Sequence, residues 1–75
     1  MIQAELHPTT RHIIAKIKSI RNQRQYSQDY LAAKMNITQN AYSKIELGKT
    51  QLSIPAFYKI AAILEVDAKD LLNPG

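Results

Sequence analysis

The feature that most constrains the fold is a three-residue link between two helical segments. The segment "QDYLAAKM" and the segment that begins after Thr38 both have helical sequence patterns, and only Asn36, Ile37 and Thr38 lie between them. So short a link forces the two helices to cross steeply instead of lying side by side. The spacing alone does not separate this arrangement from a tight corner in an ordinary helical bundle.

Most of the chain follows a helical hydrophobic periodicity. Ile13, Ile17 and Ile20 recur at the i, i+4, i+7 spacing that places side chains on one face of a helix. No alternating pattern typical of a β-strand extends beyond a few residues. The sequence therefore predicts an all-α fold of four to five short helices around one core. We expect a single domain over residues 9–75, preceded by a flexible N-terminal arm over residues 1–8.

Polar residues mark the expected helix boundaries. Asn36 favours the left-handed backbone conformation that ends many helices, and it follows the segment "QDYLAAKM" directly. Side chains with an oxygen close to the backbone are preferred at helix N-termini, because they accept hydrogen bonds from free N–H groups. The capping residues expected here are Thr9 or Thr10, Ser27, Thr38, Ser53 and Asp67.

Charge is distributed unevenly along the 75 residues, whose net charge is +4. Residues 1–49 contain eight Lys or Arg residues against three acidic residues, whereas residues 50–75 contain two against three. A polyanion would therefore be attracted to the first two thirds of the chain. Ordinary solubilising charge would give the same composition, so charge alone does not decide the function.

Composition disfavours several classes of function. The chain has no cysteine, so neither disulfides nor thiolate metal sites are expected. No apolar run approaches the roughly 18 residues of a membrane span, and the first residues lack the pattern of a secretory signal, so we expect a cytoplasmic protein. His7 and His12 have no partners at the spacing of a metal site or a catalytic triad, and we expect both to be solvated. The prediction is a non-enzyme with no catalytic residues, metal, cofactor or small-molecule ligand.

The order and spacing of residue types in this chain resemble those of one family of DNA-binding domains. The chain contains "IKSIR" (residues 17–21) and then "SQDYLAAKMNITQNAYSKIELGKT" (residues 27–50). This resembles the Cro/cI-type (XRE, lambda-repressor-like) helix-turn-helix domains, which typically have "SQ-x-x-LA", a turn, and "[ST]-[QR]-x-x-[IV]-S-x-[IL]-E-x-G". The resemblance covers roughly residues 17–72. It implies a lambda-repressor-like fold in which helices 2 and 3 form the helix-turn-helix.

The resemblance also implies which side chains read DNA. In such domains the third helix, here about residues 38–46, lies in the major groove with its N-terminal residues toward the base edges. Gln39 and Asn40 occupy those positions, and their amides match the donor and acceptor of adenine. Lys44 lies one turn beyond Asn40 and could reach guanine or a phosphate. Ser43 follows Gln39 by four residues and supports the same face.

A second group of residues matches positions that contact the DNA backbone in similar proteins. Gln28 is expected to bond a phosphate and to brace Gln39. Ser27 lies at the start of the second helix, where free N–H groups attract a phosphate. Lys49 and Thr50 follow the third helix directly and complete the predicted phosphate contacts.

Glu46 has a different expected role, since a free carboxylate facing DNA would repel phosphate. The resemblance implies that Glu46 pairs with Arg21 and that this ion pair ties the first helix to the third. Tyr42 stands where the family usually has Ile or Val. Packing is the preferred interpretation, and a hydroxyl directed toward a phosphate is the alternative. Leu47 could contact a thymine methyl group or simply pack.

These residues lead to a functional expectation. We expect a sequence-specific double-stranded DNA-binding transcriptional regulator, a repressor, which occupies DNA at the nucleoid as a homodimer. The segment "DAKDLLNPG" is the expected dimer element, because Leu71 and Leu72 have little else to cover. The alternatives are an antitoxin of a toxin–antitoxin pair and a protein–protein interaction module built on the same fold.

Overall fold

The computed structural model describes residues 8–73, which form five α-helices and no β-strand. The all-α fold expected from the sequence is therefore confirmed. Within this range no helix has the length and apolar character needed to cross a membrane. The helices are α1 (Pro8–Gln23), α2 (Gln28–Met35), α3 (Gln39–Glu46), α4 (Ile54–Leu64) and α5 (Ala68–Leu72).

Helix α1 begins earlier than the sequence pattern indicates. The predicted arm over residues 1–8 lies outside the described residues except for Pro8, which is already the first residue of α1. Thr9 and Thr10 therefore lie inside the helix and not at the position that precedes it. Proline suits the start of a helix for two reasons. The N–H groups of the first turn have no acceptor within the helix, so the N–H that proline lacks is not missed, and the φ of proline is fixed near the helical value.

Three of the predicted caps form as expected. The hydroxyl of Ser27 accepts a hydrogen bond from the Tyr30 N–H at 2.9 Å. Thr38 accepts from the Ala41 N–H at 3.1 Å, and Ser53 accepts from the Ala56 N–H at 3.2 Å. Asp67 precedes α5, but its side chain makes no capping hydrogen bond.

The link between α2 and α3 is the tight corner that the sequence predicts. Asn36 has φ 62° and ψ 41°, the left-handed conformation that ends a helix. The N–H groups of Asn36 and Ile37 donate to the carbonyls of Ala33 and Ala32 at 3.1 and 3.0 Å. Thr38 then opens α3 directly, so α2, the turn and α3 form a helix-turn-helix.

One core is formed by residues of all five helices. Ile13 and Ile17 belong to it and Ile20 packs against it, as the spacing of the isoleucines predicts. Helix α1 packs against α3, α4 and α5, so these three helices share it as a common neighbour. The buried core residues are Ile13, Ile17, Leu31, Ala32, Met35, Tyr42, Ile60, Ala61, Leu64 and Leu71.

The short helix α5 corrects one expectation from the sequence. Leu71 is fully buried, because α5 packs against α1 and α4, whereas Leu72 is 49% exposed. Leu71 is thus not left for a partner. The carbonyl of Asn73 accepts hydrogen bonds from His12 Nε2 at 2.8 Å and from Lys16 Nζ at 3.0 Å, which fastens the end of α5 to α1. His12, expected to be solvated, thus also makes an exposed hydrogen bond to the end of α5.

Candidate nucleic-acid interface

Helix α3 has two chemically distinct faces. Tyr42, Ile45 and Glu46 are buried against the rest of the domain. With successive residues about 100° apart around the helix axis, positions 39, 40, 43 and 44 form one continuous arc away from Ile45, with position 39 at the edge of the arc beside Glu46. The residues predicted to read bases therefore share one outward face: Gln39, Asn40 and Lys44 are exposed, and Ser43 is half-buried.

The residues predicted to contact phosphate lie beside this face at two places. Lys49 and Thr50 are exposed directly after α3, and their N–H groups donate to the Lys44 carbonyl at 2.9 and 3.3 Å. Thr50 also lines a groove with Asn40 and Lys44. Ser27 and Gln28 lie at the start of α2, where the Ser27 hydroxyl already serves as the cap.

The orientation of α3 is fixed by a buried ion pair. Arg21 on α1 donates from Nε to Glu46 Oε2 at 2.7 Å and from Nη2 to Oε1 at 3.1 Å. Both residues are only 8% exposed. The two parallel hydrogen bonds hold the guanidinium and the carboxylate in one plane. Arg21 also donates from Nη1 to the Tyr26 carbonyl at 2.8 Å, so the loop between α1 and α2 is held by the same side chain.

Tyr42 supplies a further hydrogen bond to the same carboxylate. Its side chain is fully buried, and its hydroxyl donates to Glu46 Oε2 at 2.6 Å. The hydroxyl therefore points inward and does not reach toward a phosphate. Burial and the hydrogen bond to Glu46 both raise the pKa of Tyr42, so the phenol stays protonated and remains a donor.

Gln28 makes a different contact from the one that the family resemblance implies. Its Nε2 donates to Glu46 Oε1 at 3.1 Å. Among the hydrogen bonds of residues 8–73, none joins Gln28 to Gln39. The Gln28 amide instead reaches Glu46, whose carboxylate is the charged acceptor available beside it. The predicted brace of Gln39 is therefore replaced by a brace of the C-terminal end of α3.

Glu46 thus accepts hydrogen bonds from side chains of three helices. Burial opposes its charge, but the hydrogen bonds from Arg21, Tyr42 and Gln28 prevail and hold the pKa of Glu46 below its ordinary value. In turn, the hydrogen bond to Glu46 raises the pKa of Arg21. No buried side-chain polar atom in the described part of the chain lacks a hydrogen-bond partner. The network is complete and holds α3 as a rigid support for its outward face.

Two features of this interface were not assigned from the sequence. Tyr42 was placed in the core but not in the ion-pair network, although its i, i+4 spacing to Glu46 on one helix face was the available signal. Leu47 is 63% exposed, and with Lys18 of α1 it lines a groove of about 250 Å³ beside α3. Helix α1 therefore lies at the edge of the interface, across this groove from Leu47.

The geometry defines a class of protein: a helix-turn-helix module whose second helix is buried on one side and polar on the other. Within residues 8–73 no cluster of three or more His, Asp or Glu residues could hold a metal ion. The positive residues of α3 and of the loop after it, Lys44 and Lys49, are both exposed. This arrangement suits a polyanionic partner.

Comparison with known proteins agrees with this class. The family model described as helix-turn-helix matches residues 17–71. The chain therefore belongs to the helix-turn-helix family of the XRE type, as its sequence resemblance implied. The chain is also similar to the crystal structure of a hypothetical transcription factor, NHTF, from Neisseria. That similarity has a TM-score of 0.78 and 27% sequence identity, and covers 99% of this chain and 86% of the other. No curated protein matches the sequence. Together, the family and this neighbour support a DNA-binding transcriptional regulator.

Proposed function

We propose that this protein is a sequence-specific double-stranded DNA-binding repressor that reads the major groove with α3. The observation that carries the proposal is the outward face of α3, on which Gln39, Asn40 and Lys44 are exposed while the buried face is fixed by the Glu46 network. A rigid helix with convergent polar side chains suits the width of the major groove.

Each exposed side chain has a chemical role in this proposal. The amides of Gln39 and Asn40 present a donor and an acceptor together, the pattern that adenine N7 and N6 complement. Lys44 donates to guanine O6 and N7 or to a phosphate, and Ser43 adds a hydroxyl on the same face. The phosphate contacts come from Lys49, Thr50 and the start of α2 at Ser27 and Gln28, and they position the module without reading sequence.

Gln28 has two donor hydrogens on Nε2, and only one is needed for Glu46. The second hydrogen is available to a phosphate oxygen. In the proposed complex Gln28 therefore bridges the DNA backbone and the buried network. A phosphate held in this way fixes α3 relative to the groove through Glu46 instead of through Gln39.

The proposed assembly is a homodimer, because one small module buries too little surface for high specificity. Ile54, Tyr58 and Leu72 are 72%, 60% and 49% exposed, and together they line one groove of about 260 Å³. Large apolar side chains exposed side by side mark a protein contact surface. We place the second copy on this surface, which we call the apolar groove. Leu72 is the part of the expected C-terminal dimer element that remains available.

The protein–protein module is the rival that the outward face of α3 disfavours. A helix that docks on a partner helix presents apolar anchors at i, i+3, i+4 and i+7. The corresponding face here carries two amides, a hydroxyl and an ammonium group at positions 39, 40, 43 and 44.

In the proposed function, repression follows because the protein occupies DNA and thereby excludes the polymerase.

DNA binding provides the direct test. We expect the protein to shift duplexes selected from a random pool, with an affinity that falls steeply as salt rises, by about 0.9 in log–log slope per phosphate contacted. Gln39→Ala with Asn40→Ala should lower affinity for the selected site by about tenfold or more, since each bidentate contact discriminates by about 1–3 kcal/mol.

The matched control for this test is Gln23→Ala, which removes an exposed amide at the end of α1. It should leave affinity and melting temperature unchanged. Absence of binding to any duplex at low salt would overturn the proposal. Equal losses from the α3 double variant and from Gln23→Ala would show that α3 does not read bases.

A further inference from the structure

Leu47 is a large apolar side chain exposed where the rest of the interface is polar. It is 63% exposed, so of the two interpretations open from the sequence, packing into the domain is wrong. Its backbone still has helical dihedrals, φ −82° and ψ −8°, and its N–H donates to the Ser43 carbonyl at 2.9 Å. The helical geometry of α3 therefore continues through Leu47.

The position of Leu47 around the helix places it on the outward face. Asn40, Ser43 and Leu47 follow the i, i+3, i+7 spacing that lines one side of a helix. The buried residues Tyr42 and Ile45 lie on the other side. At about 1.5 Å per residue, Leu47 is about 10 Å along the axis from Asn40, which corresponds to about three base pairs.

The neighbours of Leu47 do not cover it but carry positive charge. The groove that it lines with α1 also contains Arg11, Ala15 and Lys18, and all three are exposed. Leu47 does not line the apolar groove proposed for the second copy. Its exposed side chain thus lies on the outward face of α3 at the edge nearest α1, beside a lysine suited to binding a phosphate.

We infer that Leu47 is a specificity-determining residue that recognises the 5-methyl group of thymine. In the major groove this methyl is the one apolar group that a base edge presents, and apolar side chains contact it. Leucine makes no hydrogen bond, so it reads the methyl by burial alone. The inference rests on the proposed function, because it requires α3 to lie in the major groove.

The test replaces thymine by deoxyuridine, which has the same hydrogen-bonding groups but no methyl. The selected duplex and its deoxyuridine-substituted form are compared by fluorescence anisotropy. With the wild-type protein we expect affinity to fall about fourfold for each half-site when the contacted thymine is replaced, the effect of burying about one methyl-sized group. Leu47→Ala should bind both duplexes equally, and Leu47→Met should keep most of the difference.

Lys18→Ala is the matched control, since it truncates the neighbouring exposed side chain without changing the apolar contact. It should weaken binding to both duplexes equally and leave their ratio unchanged. Melting temperatures of the Leu47 variants should equal that of the wild type, because the side chain is mostly exposed. Equal wild-type affinity for both duplexes, or the same loss with Leu47→Ala, would overturn the inference while leaving DNA binding intact. Failure to bind either duplex would instead overturn the proposed function.

Discussion

Glu46 lies where side chains from α1, α2 and α3 meet, and each helix contributes a donor to its carboxylate. Arg21, Gln28 and Tyr42 together make four hydrogen bonds to its two oxygens. A buried ion is tolerated only when its charge is paired and its lone pairs are satisfied. The carboxylate is therefore a structural element that fixes α3, and it is turned away from the outward face.

At the residue scale, Tyr42→Phe tests the hydroxyl in this network. The change leaves the aromatic ring in the core but removes a donor from a buried carboxylate, so we expect a loss of about 1.5–3 kcal/mol in the free energy of unfolding. Urea titration followed by circular dichroism measures it. Tyr30→Phe, at a tyrosine that is 39% exposed, is the control and should change stability by less than about 0.5 kcal/mol. Equal effects of the two variants would contradict a role for the Tyr42 hydroxyl.

The lowered pKa of Glu46 predicts a pH dependence of stability. A carboxylate whose pKa is lower in the folded state contributes stability that is complete above the ordinary pKa of about 4.3, and this is lost as pH falls through the lower folded pKa. We expect the unfolding free energy of the wild type to fall below about pH 5 more steeply than that of Glu46→Gln. Urea titrations from neutral pH to about pH 3 measure the two slopes.

The control for the pH experiment is Glu65→Gln, which neutralises an exposed carboxylate. Its pH profile should follow that of the wild type. If Glu46→Gln does not fold, Tyr42→Phe provides the second comparison, since loss of one hydrogen bond should make the acid-dependent fall shallower. Identical slopes for all variants would contradict the assignment of the depressed pKa to Glu46.

At the scale of the helices, three ends use the left-handed conformation without glycine, and the first is Gln25 after α1, with φ 62°. Asn36 ends α2 with φ 62°, and Glu65 ends α4 with φ 61°. The left-handed region costs a residue with a side chain about 1–2 kcal/mol, except that asparagine adopts it more readily. The end of α4 therefore carries strain that the end of α2 largely avoids.

This difference predicts that glycine stabilises the protein more at the end of α4 than at the end of α2. Glu65→Gly should raise the unfolding free energy by about 1 kcal/mol, or about 4–8 °C in melting temperature, because the gain exceeds the added chain entropy of glycine. Asn36→Gly is the matched substitution and should be close to neutral. Differential scanning calorimetry compares them. A larger gain at Asn36 than at Glu65 would contradict the argument.

At the scale of the whole molecule, the two surfaces proposed for DNA and for the second copy are built from different helices. The outward face of α3 is polar and positive, whereas the apolar groove is built by α1, α4 and α5. Ser53, the N-cap of α4, lines both the apolar groove and the groove beside Asn40 and Lys44. The fold can therefore present α3 to DNA while the apolar groove holds a second copy.

The proposed dimer predicts that a charge in the apolar groove separates the copies. Tyr58→Glu should shift sedimentation equilibrium toward the mass of one 8.5 kDa chain, because an unpaired carboxylate is expensive to bury. It should also weaken binding to a two-half-site duplex far more than to a single half-site. Ser19→Glu adds the same charge at an exposed position of α1 outside the groove and should do neither. A wild-type protein that is monomeric on and off DNA would contradict the dimer.

The sequence by itself determined the helices and the turn. The caps at Ser27, Thr38 and Ser53 and the left-handed Asn36 depend on interactions within a few residues, so local chemistry sets them. The pairing of Arg21 with Glu46 was also expected, because the family resemblance implied it. The start of α1 at Pro8 was missed, because a hydroxyl residue nearby gave a competing local signal.

Only the tertiary structure decided the contacts made between distant segments. Gln28 donates a hydrogen bond to Glu46 and not to Gln39, and His12 donates one to the carbonyl of Asn73. Leu71 is buried because α5 packs against α1 and α4. Leu47 stayed exposed although a leucine is usually expected to pack. The physical reason is that burial and hydrogen-bond partners of such side chains depend on how whole helices cross, and sequence spacing describes a face of one helix but not which neighbour covers it.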